Sequence, residues 1–208
     1  MRATVSEFGS VLLSRILDLS DVQEGVLAVV FKYCDDHQYP LLDLKDLKKV
    51  LQYATEEGKS EFESEYGRVA ASSTSAILRK IVELENQGAE LFFGERSFET
   101  EDLLHTDEKG RGVVNIIRLT DIQDRPKMFS TFMLCLLAEI YNTFPEIGDQ
   151  EKPKLVIFID EAHLIFNQAS KALLNQLENI VKLIRSKGVG LIFCTQTPTD
   201  VPDAVLSQ

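Results

Sequence analysis

The sequence predicts an α/β fold: a parallel sheet covered by helices, with an all-helical subdomain preceding most of it. Three observations carry that prediction. The runs at 155–159 (Leu-Val-Ile-Phe-Ile) and 191–194 (Leu-Ile-Phe-Cys) are apolar without alternation, as strands buried on both faces of a parallel sheet are. A stretch of helical periodicity separates them, and parallel strands need such a crossover. Residues 10–90 carry helical periodicity with no β-type alternation, which marks a separate helical subdomain.

Taken in order, Ser20-Asp21-Val22-Gln23 fits a capping box, a hydroxyl for orphan N–H groups with Gln three positions later. Val26, Val29, Val30 and Tyr33 follow at helical spacing. After the break at Pro40, Leu44, Leu47, Val50 and Leu51 mark a second helix. Residues 56–65 are acidic and polar, a solvated loop or a short helix. Residues 69–87 form a third helix with Ile77, Ile81 and Leu84 on one face and Gly88 as its C′ residue. The character changes after Phe92-Phe93-Gly94-Glu95. Gly110 to Gly112 introduce a β-branched run at 113–119, of strand length. Asp124-Arg125-Pro126 opens a helix whose face is Phe129, Phe132, Met133, Leu136, Leu137, Ile140 and Phe144. A last long helix, 170–187, turns Leu173, Leu177, Ile180, Val181 and Ile184 inward and ends at Gly188.

With 208 residues, 44% hydrophobic and 26% charged, the composition is that of a globular chain. The longest apolar-rich stretch, 128–141, is interrupted by Ser130, Thr131 and Glu139, so no transmembrane helix and no membrane partner are expected. Met1-Arg2-Ala3-Thr4 does not open a secretory signal. Cys34, Cys135 and Cys194 lie far apart in apolar surroundings without metal-ligand spacing, which suits a cytoplasmic chain. The net charge of −11 argues against non-specific coating of nucleic acid. Residues 151–208 hold six basic and six acidic residues, so the whole excess sits in 1–150.

The strongest chemical signal is the apolar strand 155–159 followed by Asp160-Glu161. Open α/β sheets bind ligands at the carboxyl ends of their strands. In P-loop NTPases such a Walker B strand projects one carboxylate toward Mg²⁺, a hard ion that wants oxygen ligands. The second carboxylate polarises the attacking water. The alternative is a buried strand ending in an acidic helix N-terminus, which the helix dipole favours anyway. Thr195-Gln196 tips the neighbouring strand, where a polar side chain can reach a γ-phosphate or the lytic water; the alternative is a plain turn through Pro198. Arg185, near the end of the intervening helix, reads either as a trans-acting arginine finger or as a solvated cation at a helix C-terminus. His163 reads as a capping or packing histidine. A Walker A loop needs Gly, four residues, then Gly-Lys-Ser/Thr. None of the eleven glycines satisfies that offset, so the phosphate cradle is missing from the 208 residues.

On these residues the chain resembles the bacterial HerA-like helicase C-terminal family of ATPases, in the HerA/FtsK superfamily. The matching segments are Arg2-Ala3-Thr4-Val5-Ser6-Glu7, Leu42-Asp43-Leu44-Lys45-Asp46-Leu47, Gly110-Arg111-Gly112-Val113-Val114-Asn115, the stretch 152–164, Arg185-Ser186-Lys187-Gly188-Val189-Gly190 and Thr195-Gln196. The resemblance implies a partial RecA-like P-loop NTPase core of the additional-strand type. It further implies ATP and Mg²⁺ as cofactors, DNA as the substrate of a motor, and a homo-oligomeric, hexameric ring. By this resemblance Asp160 is the Mg²⁺ carboxylate, Glu161 the water activator, Gln196 the sensor glutamine and Arg185 a finger candidate. All but Arg185 lie against the nucleotide. The family's Walker A strand and loop lie upstream of Arg2 and its final strands downstream of Gln208. The expectation is therefore a middle section: 1–9 the incoming core segment, 10–90 the helical insertion, 91–208 the partial core, inactive alone.

Two other readings compete. Asp160-Glu161-Ala162-His163 also spells the DEAH box of superfamily 2 helicases, but Thr195-Gln196-Thr197 stands where Ser-Ala-Thr would, and the acidic helical subdomain does not fit. The other is a non-catalytic interaction module in which the helical region binds a partner protein.

Overall fold

A computed structural model describes residues 2–95, 99–122, 124–148, 151–166 and 171–207. Met1, residue 170, where the sequence starts the last long helix, and Gln208 lie outside them. The chain divides into two compact units, Met1–Phe98 and Glu99–Gln208.

Among the described residues, the first unit contains five α-helices. Helix α1, Val5–Ile16, starts in a capping box: the Thr4 hydroxyl accepts the Glu7 N–H at 3.1 Å, and the Glu7 carboxylate accepts the Thr4 N–H at 2.9 Å. Gly9, at φ 70° and ψ 165°, breaks its regular course. In α2, Asp21–Asp36, the Gln23 side chain accepts the Ser20 N–H at 3.1 Å, as the sequence predicts. Helix α3, Leu44–Tyr53, is capped by Asp43, which accepts the N–H groups of Lys45 (2.7 Å) and Asp46 (3.0 Å). Helix α4 runs Lys59–Glu65 and α5 Ala71–Asn86, with Gly88 left-handed beyond the end of α5. Leu13, Leu27, Leu47, Leu51, Ile77, Ile81 and Leu84 are fully buried. Lys48 pairs with Glu85 at 2.7 Å, both largely buried, tying α3 to α5. Ala3 forms a parallel bridge with Phe93.

Residues 56–65 prove less solvated than their polarity suggests. Phe62 is fully buried and sits 4.4 Å, centroid to centroid, from Tyr33. One large aromatic on a short amphipathic helix anchors it whatever its neighbours are.

The second unit contains helix α6, Pro126–Thr143, strand β1, Leu155–Ile159, helix α7, His163–Phe166, helix α8, Lys171–Ile184, strand β2, Val189–Phe193, and helix α9, Asp203–Leu206. The strands pair in parallel, Leu155 opposite Val189 through Ile159 opposite Phe193. Helix α6 packs on α7 and α8, and α8 on β2. All seven residues assigned to the inner face of α6 are buried. The buried Ser130 hydroxyl donates to the Ile165 carbonyl at 2.7 Å, so the polar interruption of this apolar helix fastens it to α7.

Three expectations are corrected. The run 113–119 is not a strand: Val114 and Ile116 are 85% and 80% exposed, and no strand pairs with the run among the described residues. β-Branched composition supplies only a preference, and a ladder needs a partner backbone. The sheet is not covered on both faces, because Phe158 is 68% exposed and Val156 and Ile192 lie exposed beside it. A two-stranded sheet buries one face against helices and leaves the other open. Finally, β2 begins at Val189 and ends at Phe193, not 191–194, because the left-handed Gly188 delivers the chain straight into the ladder.

Candidate functional site

The carboxyl ends of β1 and β2 lie side by side, since Ile159 and Phe193 are paired. The chain leaves each strand into a tight turn, and the turns are cross-linked. Cys194 N–H donates to the Ile159 carbonyl at 2.9 Å, and Ala162 N–H donates to the Cys194 carbonyl at 2.9 Å. Asp160-Glu161 and Thr195-Gln196 therefore occupy one edge of the sheet, where the sequence placed them.

Asp160 is exposed and accepts the Glu161 N–H at 3.0 Å. Glu161 adopts φ 51°, left-handed for a residue with a side chain. Its carboxylate lies 3.2 Å from His163 Nδ1. The sequence assigns His163 to capping or packing; the structure places it at the start of a helix, half-buried, with its Nδ1 against the Glu161 carboxylate. Short helix α7, which begins at His163, is held by the Ser130 bond.

Beyond β2, the Thr195 hydroxyl donates to Asp200 Oδ2 at 2.7 Å, and the Thr197 N–H donates to the same oxygen at 3.3 Å. The Thr195 hydroxyl contributes most to holding the Asp200 carboxyl below its ordinary range, the Thr197 side chain comes next, and the Thr197 N–H and His163 add to it. Gln196, between the two anchored threonines, is exposed. Asp200 escaped the sequence reading. Its signal was present: Thr197-Pro198-Thr199-Asp200 has the hydroxyl and, three residues on, the carboxylate of a capping box.

Arg185 lies elsewhere. It sits in the 3₁₀ turn Arg185–Lys187 that leads into β2, at the amino end of the strand. It lines a cavity of about 620 Å³ together with Lys182, Val205 and Leu206. A five-residue strand, roughly 16 Å long, separates it from the acidic turn.

Among the described residues, no three His, Cys, Asp or Glu side chains converge as a metal cage. Mg²⁺ that keeps water and phosphate ligands needs only one or two protein carboxylates, and an exposed Asp160 at a strand's carboxyl end fits that demand. No helix of the described residues is long and apolar enough to cross a membrane.

Residues 1–208 match the family described as Helicase HerA-like C-terminal, and the chain belongs to it. No curated protein matches the chain.

Proposed function

We propose, from membership of the helicase HerA-like C-terminal family, that the chain carries the Walker B and sensor elements of an ATP-hydrolysing motor subunit. The observation that supports this best is the junction of the Asp160-Glu161 turn with the Thr195-Gln196 turn through the Ala162–Cys194 and Cys194–Ile159 hydrogen bonds. Carboxylates and an amide carried on adjoining turns at the carboxyl ends of parallel strands suit phosphoryl transfer to water, which asks for positioning and charge more than for covalent chemistry.

In this reading the Asp160 carboxylate holds Mg²⁺, which supplies neutralisation of phosphate charge when bound. Glu161 takes a proton from the attacking water, and its left-handed backbone together with His163 aims the carboxylate. Gln196 reads the γ-phosphate or that water from the next strand. Arg185, at the far end of β2, serves a neighbouring subunit's site, which fits a homo-oligomeric ring. The phosphate cradle comes from outside the 208 residues. The surrounding fold is a partial RecA-like core with residues 10–90 as its helical insertion and 1–9 as a core segment, and DNA is the track of the complete motor.

Glu161→Gln in the full-length subunit keeps ATP binding and lowers turnover by at least about a hundredfold, the usual worth of a general base. Unchanged turnover sinks the assignment. The absence of a complete Gly-x4-Gly-Lys-Ser/Thr loop is the one observation that favours a non-catalytic interaction module. That module would be indifferent to Glu161→Gln.

A further inference from the structure

We propose that Asp200 is a positioning residue that fixes Gln196 toward the acidic turn by gripping the residues on both sides of it. The proposal rests on the roles given above to Glu161 and Gln196. One carboxylate oxygen, Asp200 Oδ2, receives both the Thr195 hydroxyl (2.7 Å) and the Thr197 N–H (3.3 Å). Gln196 is thus the single residue bridged by the clip. A second tie acts just before it, where Cys194 is bonded through its N–H and its carbonyl to Ile159 and Ala162, the latter immediately following Glu161. The peptide that carries Gln196 is held at one end to the acidic turn and at the other to Asp200. Pro198 stiffens the exit.

A long, exposed amide side chain on an otherwise loose turn would sample many positions, and each would have to be given up to meet a phosphate or a water. The clip removes backbone freedom beforehand, which is how pre-organisation contributes to rate. Asp200 itself touches no reacting atom in this scheme. It acts only through Thr195, Thr197 and the residue between them.

The test is a double-mutant cycle in the full-length ATP-hydrolysing protein, with Glu161→Gln measured beside it. Asp200→Ala lowers kcat roughly tenfold or more and leaves KM within about twofold, the signature of lost positioning. In a Gln196→Ala background the same substitution adds less than about twofold, because its route is already cut. Independent of turnover, Asp200→Ala in the 208-residue chain speeds amide exchange at Thr197 by about fivefold, as the loss of one hydrogen bond predicts. If Asp200→Ala does not fold, Thr195→Val, which removes only the hydroxyl donor, takes its place in the cycle. Fully multiplicative losses in kcat, or an unchanged Thr197 exchange rate, overturn the proposal and leave the motor reading intact so long as Glu161→Gln abolishes turnover. Turnover that ignores Glu161→Gln brings down both.

Discussion

Glu161 occupies a backbone region that costs a side-chain-bearing residue about 1–2 kcal/mol. The surrounding bonds make up for it: Asp160 accepts its N–H, and the next residue is pinned to Cys194. Strain held in this way fixes where a carboxylate points, and such strain gathers at functional sites. Asp200 is the complementary case, a half-buried carboxylate whose position is set by the donors it accepts from. Its folded-state pKa lies below its ordinary value of 3.8. Its contribution to stability is therefore complete above that value and disappears as pH falls through the lower, folded-state pKa. Thr195→Val removes the largest cause, so the Asp200 titration followed by NMR moves up toward the ordinary value and the acid-side loss of stability it contributes shrinks. An unmoved titration would mean that the Thr195 bond is not what holds the carboxyl down.

At the scale of elements, a segment is legible in the sequence when its own residues settle its fate. Strand β1 falls at 155–159, where its unbroken apolar run puts it. Helices α2 and α5 keep the Gln23 cap and the Gly88 stop that their sequences announce. The run 113–119 is illegible for the opposite reason: Val113, Val114, Ile116 and Ile117 favour a strand, but pairing is decided by another backbone. For Asp200 local pattern shows only half: the capping box with Thr197 is legible, while the bond to Thr195, five residues away across a turn, is not. Helix α4 misleads by average. Its acidic residues look solvated while Phe62 fills the space between Tyr33, Tyr53 and Tyr66. Burial has consequences there too. It pushes the Tyr66 phenol up to about 12, with Asp36 assisting, and raises Cys34 to about 11. Phe62→Ala empties that space and destabilises the first unit by about 3–5 kcal/mol, read by chemical denaturation with helix content as the signal. A loss under about 1 kcal/mol would show that the aromatic cluster closes over the gap.

Across the whole molecule, charge and chemistry are distributed unequally. The −11 lies in residues 1–150, while 151–208, which hold the acidic turn and the clip, are neutral, so the charge does not argue against a motor on DNA. What the 208 residues lack is the Gly-x4-Gly-Lys-Ser/Thr loop that holds a triphosphate in P-loop enzymes. One tripeptide, Gly58-Lys59-Ser60, spells the end of a phosphate loop, but Tyr53 stands where the first glycine must be. The surrounding structure agrees with the sequence here. The tripeptide follows helix α3, not a strand, and the Gly58 N–H is spent on the Tyr53 carbonyl at 2.9 Å. A phosphate cradle needs successive free N–H groups at the mouth of a helix that leaves a sheet. In the proposed reading Asp160, Glu161 and Gln196 would neutralise, activate and sense, and each would act on phosphates that another element has placed. The purified 208-residue chain therefore hydrolyses ATP no faster than buffer in a phosphate-release assay, and Glu161→Gln changes nothing in it. Steady turnover abolished by Glu161→Gln in this same chain would prove that a cradle exists within it, formed by residues that the Gly-Lys-Ser/Thr rule does not describe.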